Sequence, residues 1–344
     1  MREREELAGG FEHGFEALER LDPAKVKSFS DLLSQMSKTA LAAREAGHAA
    51  DIMCTMFADE DCTVIGTLSG PMTIAKQDLV IVEMIRQRWL DVLVSTGAIL
   101  VHTLVQEIGK VHFKYERGWD DTKLYESGYN RVYDTLELEK SLDDAEELVL
   151  KVLAKSQADN ALGSHQLCRL LGETLIERGS EQGILQEAFR QGVPVFVPAF
   201  TDSELGLDFA MYNKRVKPDR RMRFDPFADL EEYTTIINKA GTLGIFTVGG
   251  GVPRNWAQQV GPYVDAMQRR EVIQRQEPVK FRYGVRICPE PVHWGGLSGC
   301  TYAEGVSWGK FVSPKEGGRW AEVLCDATIA LPLLVLAVRE RLAV

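Results

Sequence analysis

Near the C-terminus the chain reads Glu304-Gly305-Val306-Ser307-Trp308-Gly309-Lys310, and these residue types could do covalent chemistry. Only Gly309 separates Lys310 from Trp308, and an indole can shield a lysine from water. Loss of water disfavours the ammonium form and lowers the lysine pKa. A neutral amine adds to carbonyl-like carbons and forms imines. Glu304 is close enough in sequence to hold a cation beside that amine. Taken alone, the run also reads as a surface turn with a solvated lysine.

A second group of stretches could hold phosphate. They are Gly66-Thr67-Leu68-Ser69-Gly70, Ser95-Thr96-Gly97-Ala98, Pro198-Ala199-Phe200-Thr201-Asp202-Ser203-Glu204 and Gly249-Gly250-Gly251-Val252-Pro253. Each follows an apolar run. Small residues let backbone N–H groups approach an anion, and a following helix N-terminus favours negative charge. Four such turns in one chain point to a nucleotide site, although no GxGxxG fingerprint is present. Asp202 and Asp326 each follow a strand candidate. A carboxylate there can accept from ribose hydroxyls, or it can simply cap a helix.

The elements that must position these residues alternate along the chain. Strands are expected at 63–68, 91–96, 193–198, 244–248, 281–287 and 322–326. Most are rich in Val, Ile or Leu without strict alternation, as in a parallel sheet buried on both faces. Helices are expected at 74–88, 100–107, 142–156, 165–178, 181–190, 228–239 and 328–341. This alternation predicts an α/β, doubly wound, mostly parallel sheet, with ligands beyond the carboxyl ends of its strands. The stretch up to about residue 60 reads as helical and charged. Residues 1–30 are expected to form an N-terminal arm and 31–344 a single domain. The Tyr-rich, charged region 114–138 reads as an excursion from the sheet.

Composition narrows the function classes. The 344 residues are 45% hydrophobic and 26% charged, as in an ordinary globular protein. A net charge of −10 with no basic block argues against nucleic-acid binding and is compatible with a cationic substrate. The six cysteines show neither zinc nor disulfide spacing, so no metal is expected and a cytoplasmic location is. The charged N-terminus does not read as a signal peptide. The longest apolar run, 327–338, is too short to span a bilayer, so no membrane association is expected.

In this order the pieces resemble the deoxyhypusine synthase family, from about residue 30 to the end. The matching stretches are Asp91-Val92-Leu93-Val94-Ser95-Thr96-Gly97-Ala98, Ser127-Gly128-Tyr129-Asn130-Arg131, Pro194-Val195-Phe196-Val197-Pro198-Ala199-Phe200-Thr201-Asp202, Gly249-Gly250-Gly251-Val252, Glu304-Gly305-Val306-Ser307-Trp308-Gly309-Lys310 and Cys325-Asp326-Ala327. The resemblance implies a Rossmann-like NAD-binding fold and NAD-dependent transfer of an aminobutyl group from a polyamine through an imine on Lys310. Trp308 would cover the polyamine and Glu304 would hold an amine end. Thr96, Asp202, Gly250, Gly251, Asp326 and Ala327 would line the NAD site, and Thr67, Ser69, Gly70, Gly97, Ala98 and Gly249, from the small-residue turns, are further cofactor-binding candidates. The resemblance also implies a homotetramer with active sites at subunit interfaces.

The chain departs from that pattern around the amine pocket. Asn255 stands where the eukaryotic enzymes carry histidine, and Leu297 where they carry aspartate. Val101 and His102 replace an acidic pair, and Asp208 matches its acid only with a shifted spacing. The lysine chemistry is kept and the pocket rewritten, as in the bacterial deoxyhypusine-synthase-like branch, whose members act on free diamines in the manner of homospermidine synthases. Spermidine or putrescine is the expected donor and a small diamine the expected acceptor. A dication needs spaced carboxylates and apolar walls, for which Glu204, Asp208, Asn255 and Trp294 are further candidates. His293 and His102 are candidates for proton transfer. Two other readings are a true deoxyhypusine synthase acting on a protein lysine and a non-catalytic NAD-binding protein.

Overall fold

The computed structural model describes residues 7, 9–116, 118–156, 161–274, 277–296 and 300–344. Leu297, one of the departures noted above, lies outside the described residues. In chain order the strands are β1 (Cys62–Leu68), β2 (Val92–Ser95), β3 (Phe113–Lys114), β4 (Tyr129–Val132), β5 (Thr135–Leu138), β6 (Ala161–Leu162), β7 (Val195–Phe196), β8 (Arg223–Phe224), β9 (Thr242–Val248), β10 (Tyr283–Ile287) and β11 (Arg319–Val323).

Six of them form one sheet in the order β11-β10-β9-β1-β2-β7, and every neighbouring pair is parallel. Parallel neighbours need crossover helices, and these cover both faces. Successive residues therefore enter two different cores. Val64 and Leu93 pack under one helical layer, with Ile81, Leu104, Leu171 and Leu334. Ile65, Val92 and Val94 pack under the other, with Tyr233, Ala257, Tyr302 and Phe311. A fully buried Leu or Phe side chain contributes about 1.5–3 kcal/mol, so cover on both faces holds these short strands.

Counted along the chain, the six strands run 3-2-1-4-5-6 across the sheet. That order reverses direction between β1 and β9, where a crevice must open. Leu68 pairs with both Ser95 and Val248, so β1, β2 and β9 end at one level. Their terminal turns therefore face the same space.

Particular elements differ from the sequence expectation. The last strand is Arg319–Val323, three residues earlier than 322–326. Residues 324–326 make the turn instead, and Asp326 caps the final helix, Ala327–Leu342. The strand expected at 193–198 shrinks to Val195–Phe196 because Pro194 and Pro198 have no N–H to give a ladder. Helices Gly251–Gln258 and Val260–Arg269 were hidden by Pro253 and Pro262, which read as breakers. Both prolines fall in the first turn, where their missing N–H costs no helical bond. The 114–138 region leaves the main sheet as the antiparallel set β3-β5-β4 plus the helix Asp121–Glu126. Among the described residues, no helix is long and apolar enough to cross a membrane.

Candidate active site

The ends of β1, β2, β7 and β9 enclose a cleft of about 370 Å³. Ser69, Gly70, Ser95, Thr96, Gly97, Pro198, Ala199, Asp202, Gly249, Gly250, Gly251, Val252 and Pro253 line it. Helices Gly97–Glu107 and Gly251–Gln258 both begin at this cleft and bring the positive ends of their dipoles to it. Ser69 ties two walls together. Its Oγ donates to the Val248 carbonyl at 3.1 Å and accepts from the Gly250 N–H at 2.9 Å.

Glycine is required here by contact and conformation. A Cβ on Gly249 would lie 2.3 Å from Ser69 Oγ, and its φ of 78° disfavours a side chain. A Cβ on Gly97 would lie 2.0 Å from Ser203 Oγ. Close backbone approach, two helix N-termini and the rim carboxylate of Asp202 fit a pyrophosphate and a ribose.

Of the residues expected at a nucleotide, Ser69, Gly70, Thr96, Gly97, Asp202, Gly249, Gly250 and Gly251 meet at this cleft. Ala98 lines a side chamber of about 250 Å³, which shares Gly70, Thr96 and Asp202 with it. Thr67 does not line the cleft. It is buried in the sheet, donating to Thr247 Oγ1 at 2.8 Å. Asp326 and Ala327 follow β11, two strands beyond β9 and about 10 Å from it by strand spacing. Asp326 accepts from the Thr328 N–H at 2.8 Å, so within one chain it is a helix cap.

Lys310 stands where the Tyr302–Ser307 helix ends. The Gly309 N–H donates to the Val306 carbonyl and the Lys310 N–H to the Gly305 carbonyl. Gly309 takes a φ of 70°, which reverses the chain and sends Lys310 inward. Only 7% of the lysine is exposed. Its Nζ donates to Asn255 Oδ1 at 3.3 Å. Burial pushes the Lys310 pKa below the ordinary lysine value; Cys300 opposes this and the Arg254 guanidinium reinforces it. Asn255 lies one turn into the helix whose first residues form the glycine wall. The lysine and the cleft thus share one helix.

The expected indole shield does not form within one chain. Trp308 is 66% exposed, so within one chain its indole does not cover the lysine. Neighbouring Phe281, Tyr302 and Phe311 are fully buried, and Arg254 stacks over the Tyr302 ring at 5.2 Å. Gly305 permits this packing, since a Cβ there would lie 2.5 Å from Phe311. Glu304 is also turned away. Its carboxylate accepts from the Thr301 N–H at 2.9 Å and from Thr301 Oγ1 at 3.1 Å, closing a capping box. Those two hydrogen bonds hold its pKa below the usual range.

Other expected amine ligands scatter. Trp294 is 70% exposed in the turn Val292–Trp294, and His293 beside it is exposed too. Glu204 begins the helix Glu204–Arg215. Asp208, on the same helix, is buried, and its pKa rises to about 7 through burial and then the charges of Glu146 and Glu204. His102 sits in the chamber wall and bonds Glu137.

Sequence reasoning missed a polar network next to the lysine. Arg254 donates to the Cys300 carbonyl at 2.7 Å. Buried Arg286 on β10 pairs with Glu322 on β11. Glu322 also accepts the Tyr302 N–H at 2.9 Å. No spacing signal could reveal it, because the residues come from four separate elements. It fixes the short helix that presents Lys310.

A 3-2-1-4-5-6 parallel sheet, an anion-favouring cleft at its switch point and a buried lysine alongside define a Rossmann-like fold with a lysine amine beside its switch-point cleft. The family model for deoxyhypusine synthase matches residues 31–338. "Probable deoxyhypusine synthase 2" of Methanosarcina mazei is 34% identical over 318 residues, covering 92% of this chain and 88% of that protein. "Deoxyhypusine synthase-like protein" of Chlorobaculum tepidum is 32% identical over 305 residues, covering 88% of this chain and 84% of that protein. The solved structure titled "Crystal Structure of a putative deoxyhypusine synthase from Entamoeba histolytica" shares the fold, with a TM-score of 0.56, 17% identity and coverage of 93% and 96% of the two chains. The chain belongs to the deoxyhypusine synthase family and is a transferase of that family's aminobutyl type.

Proposed function

We propose that the protein binds NAD in the switch-point cleft and moves an aminobutyl group from spermidine or putrescine, through an imine on Lys310, to a small diamine. The observation that carries this reading is the buried, inward-turned Lys310, hydrogen-bonded to the helix that forms the cleft's glycine wall. Bound NAD would accept a hydride from the carbon beside the donor's amine and return it at the end, so no net redox occurs. Lys310, whose burial disfavours the ammonium form, adds to the resulting carbon as the neutral amine. The donor's amine leaves with its proton, and the aminobutyl carbon stays on the lysine as an imine. Asn255 orients the amine but is no base at neutral pH. The acceptor's amine then displaces Lys310.

The acceptor reading rests on the rewritten pocket. Asn255 accepts from the lysine, Glu304 caps a helix, and Asp208 is buried within reach of the charges of Glu146 and Glu204. A true deoxyhypusine reaction is the second reading, favoured by the relatives' names. We further propose that the sites are completed between paired subunits of a homotetramer. Asp326, Ala327 and the exposed Trp308 lie off their own cleft and would serve a neighbour's.

The test combines NAD, a panel of amines and borohydride, followed by mass spectrometry. Aminobutyl mass on Lys310 is expected with putrescine or spermidine. Product formation by Lys310→Ala would reject the lysine's role. A protein-lysine acceptor outperforming every diamine would select the second reading, and NAD binding without labelling would leave a binding protein.

A further inference from the structure

Outside the cleft, three side chains with metal-ligating atoms converge. His102 comes from the helix Gly97–Glu107, His112 from the turn before β3, and Glu137 from β5. Their donor atoms all lie within 4.8 Å of one another. His102 Nδ1 is 3.0 Å and His112 Nε2 is 2.8 Å from Glu137 Oε1. The His112 and Glu137 side chains are buried, whereas the His102 ring lines the side chamber.

We propose that His102, His112 and Glu137 form a binding site for a divalent transition metal, zinc by donor type, with an open coordination position toward the side chamber. Two imidazoles and one carboxylate suit zinc rather than magnesium or calcium, which take oxygen ligands. Three protein ligands and one open position is also how zinc is held when it keeps a water or substrate. Bonds of about 2.0–2.2 Å set tetrahedral ligand atoms about 3.3 Å apart. The two histidine nitrogens would move back from the carboxylate by a few tenths of an ångström and close on each other across a span of up to 4.8 Å, a swing that side-chain rotation allows. The ion would clip the 114–138 excursion to the helix after β2. A group on its open position would sit in a chamber that shares Gly70, Thr96 and Asp202 with the cleft.

Lys76 is the competitor. Its Nζ lies 2.8 Å from His112 Nδ1 and 2.5 Å from Gln106 Oε1. An ammonium has only donors, and a histidine bound to metal through Nε2 carries its proton on Nδ1. The two cannot meet, and a second cation nearby is repelled. Exposed Lys76 must swing out when the ion enters, leaving Gln106 Oε1 to accept the Nδ1 proton, as outer carbonyls do around metal-bound histidines.

The experiment is zinc equilibrium dialysis and cobalt absorption spectroscopy on the full chain and its Lys76→Met, His112→Ala and Glu137→Gln variants, each checked by a metal-free melt. One zinc per chain is expected in the wild type, with a rise in melting temperature. Lys76→Met should bind at least tenfold more tightly. His112→Ala, which removes a ligand outright, should lose at least the roughly hundredfold that loss of an outer-shell partner can cost. Should His112→Ala fail to fold, Glu137→Gln, which keeps the side-chain shape, replaces it and should also lose the cobalt bands. The proposal is overturned when wild type and Lys76→Met take up no more zinc than the ligand variants, or when a folded ligand variant keeps the cobalt spectrum. None of these readouts depends on the amine substrate.

Discussion

Replacing Asn255 by aspartate tests the claim that the surroundings of Lys310 disfavour its charged form. The change puts a carboxylate where an amide oxygen now sits 3.3 Å from Nζ. At that distance a unit charge pair is worth about 1 kcal/mol in bulk water and about 5 kcal/mol at an effective dielectric near 20. Lys310 is buried but Asn255 is exposed, so solvent screening keeps the effect toward the lower end, roughly 1–3 kcal/mol. Each 1.4 kcal/mol is about a factor of ten in protonation equilibrium. The neutral fraction of Lys310 at pH 7 should fall about tenfold to a hundredfold, and imine trapping should slow by the same factor. Asn255→Ala is the control. It removes a hydrogen bond without adding charge and should change the neutral fraction far less. Competitive acetylation of Lys310, followed by mass spectrometry across pH, reads the amine's protonation directly and needs no substrate. The reasoning fails when Asn255→Asp leaves Lys310 as reactive at pH 7 as wild type, with an unchanged melt.

Three further outcomes follow from the packing and the titrating groups. Gly97→Ala must displace Ser203 Oγ from 2.0 Å, so a loss of about 1–3 kcal/mol in denaturant unfolding and weaker NAD binding in calorimetry are expected. Glu107 is fully buried, which pushes its pKa up to about 8 against the opposing hydrogen bond from the Gln186 N–H. The folded state then holds a proton that the unfolded state loses. Stability should decline as pH rises from about 4.5 to about 8 and level off above, and Glu107→Gln should flatten that slope in melts across pH. Asp208 has the same sign between its ordinary value of 3.8 and about 7. Asp208→Asn should therefore melt higher than wild type at pH 8 and about equal at pH 4. A loss of stability at pH 8 would show that Asp208 is stabilised by a partner, as an amine ligand would be.

The chain's order of residues determined much by itself. Unbroken Val, Ile and Leu runs between helical stretches dictated a parallel sheet covered on both faces, because only crossover connections join such strands. Small residues after four of those runs marked the cleft, because backbone N–H groups reach an anion only where side chains are absent. Lys310 stood out because a lysine behind Trp-Gly is chemically legible. Local chemistry of this kind is written in adjacent residues. The tertiary structure decided what depends on distance. It assigned the lysine's burial to packing around Tyr302 and Phe311 and its partner to Asn255, while leaving Trp308 in solvent. It turned Glu304 and Asp326 into helix caps, since a short acid near a helix N-terminus finds backbone N–H groups before it finds a ligand. It also joined His102 to His112 and Glu137, which lie on a helix, a turn and a strand with no motif between them. Side chains that meet only through the fold carry no spacing in the sequence, and so their chemistry appears only once the chain has closed on itself.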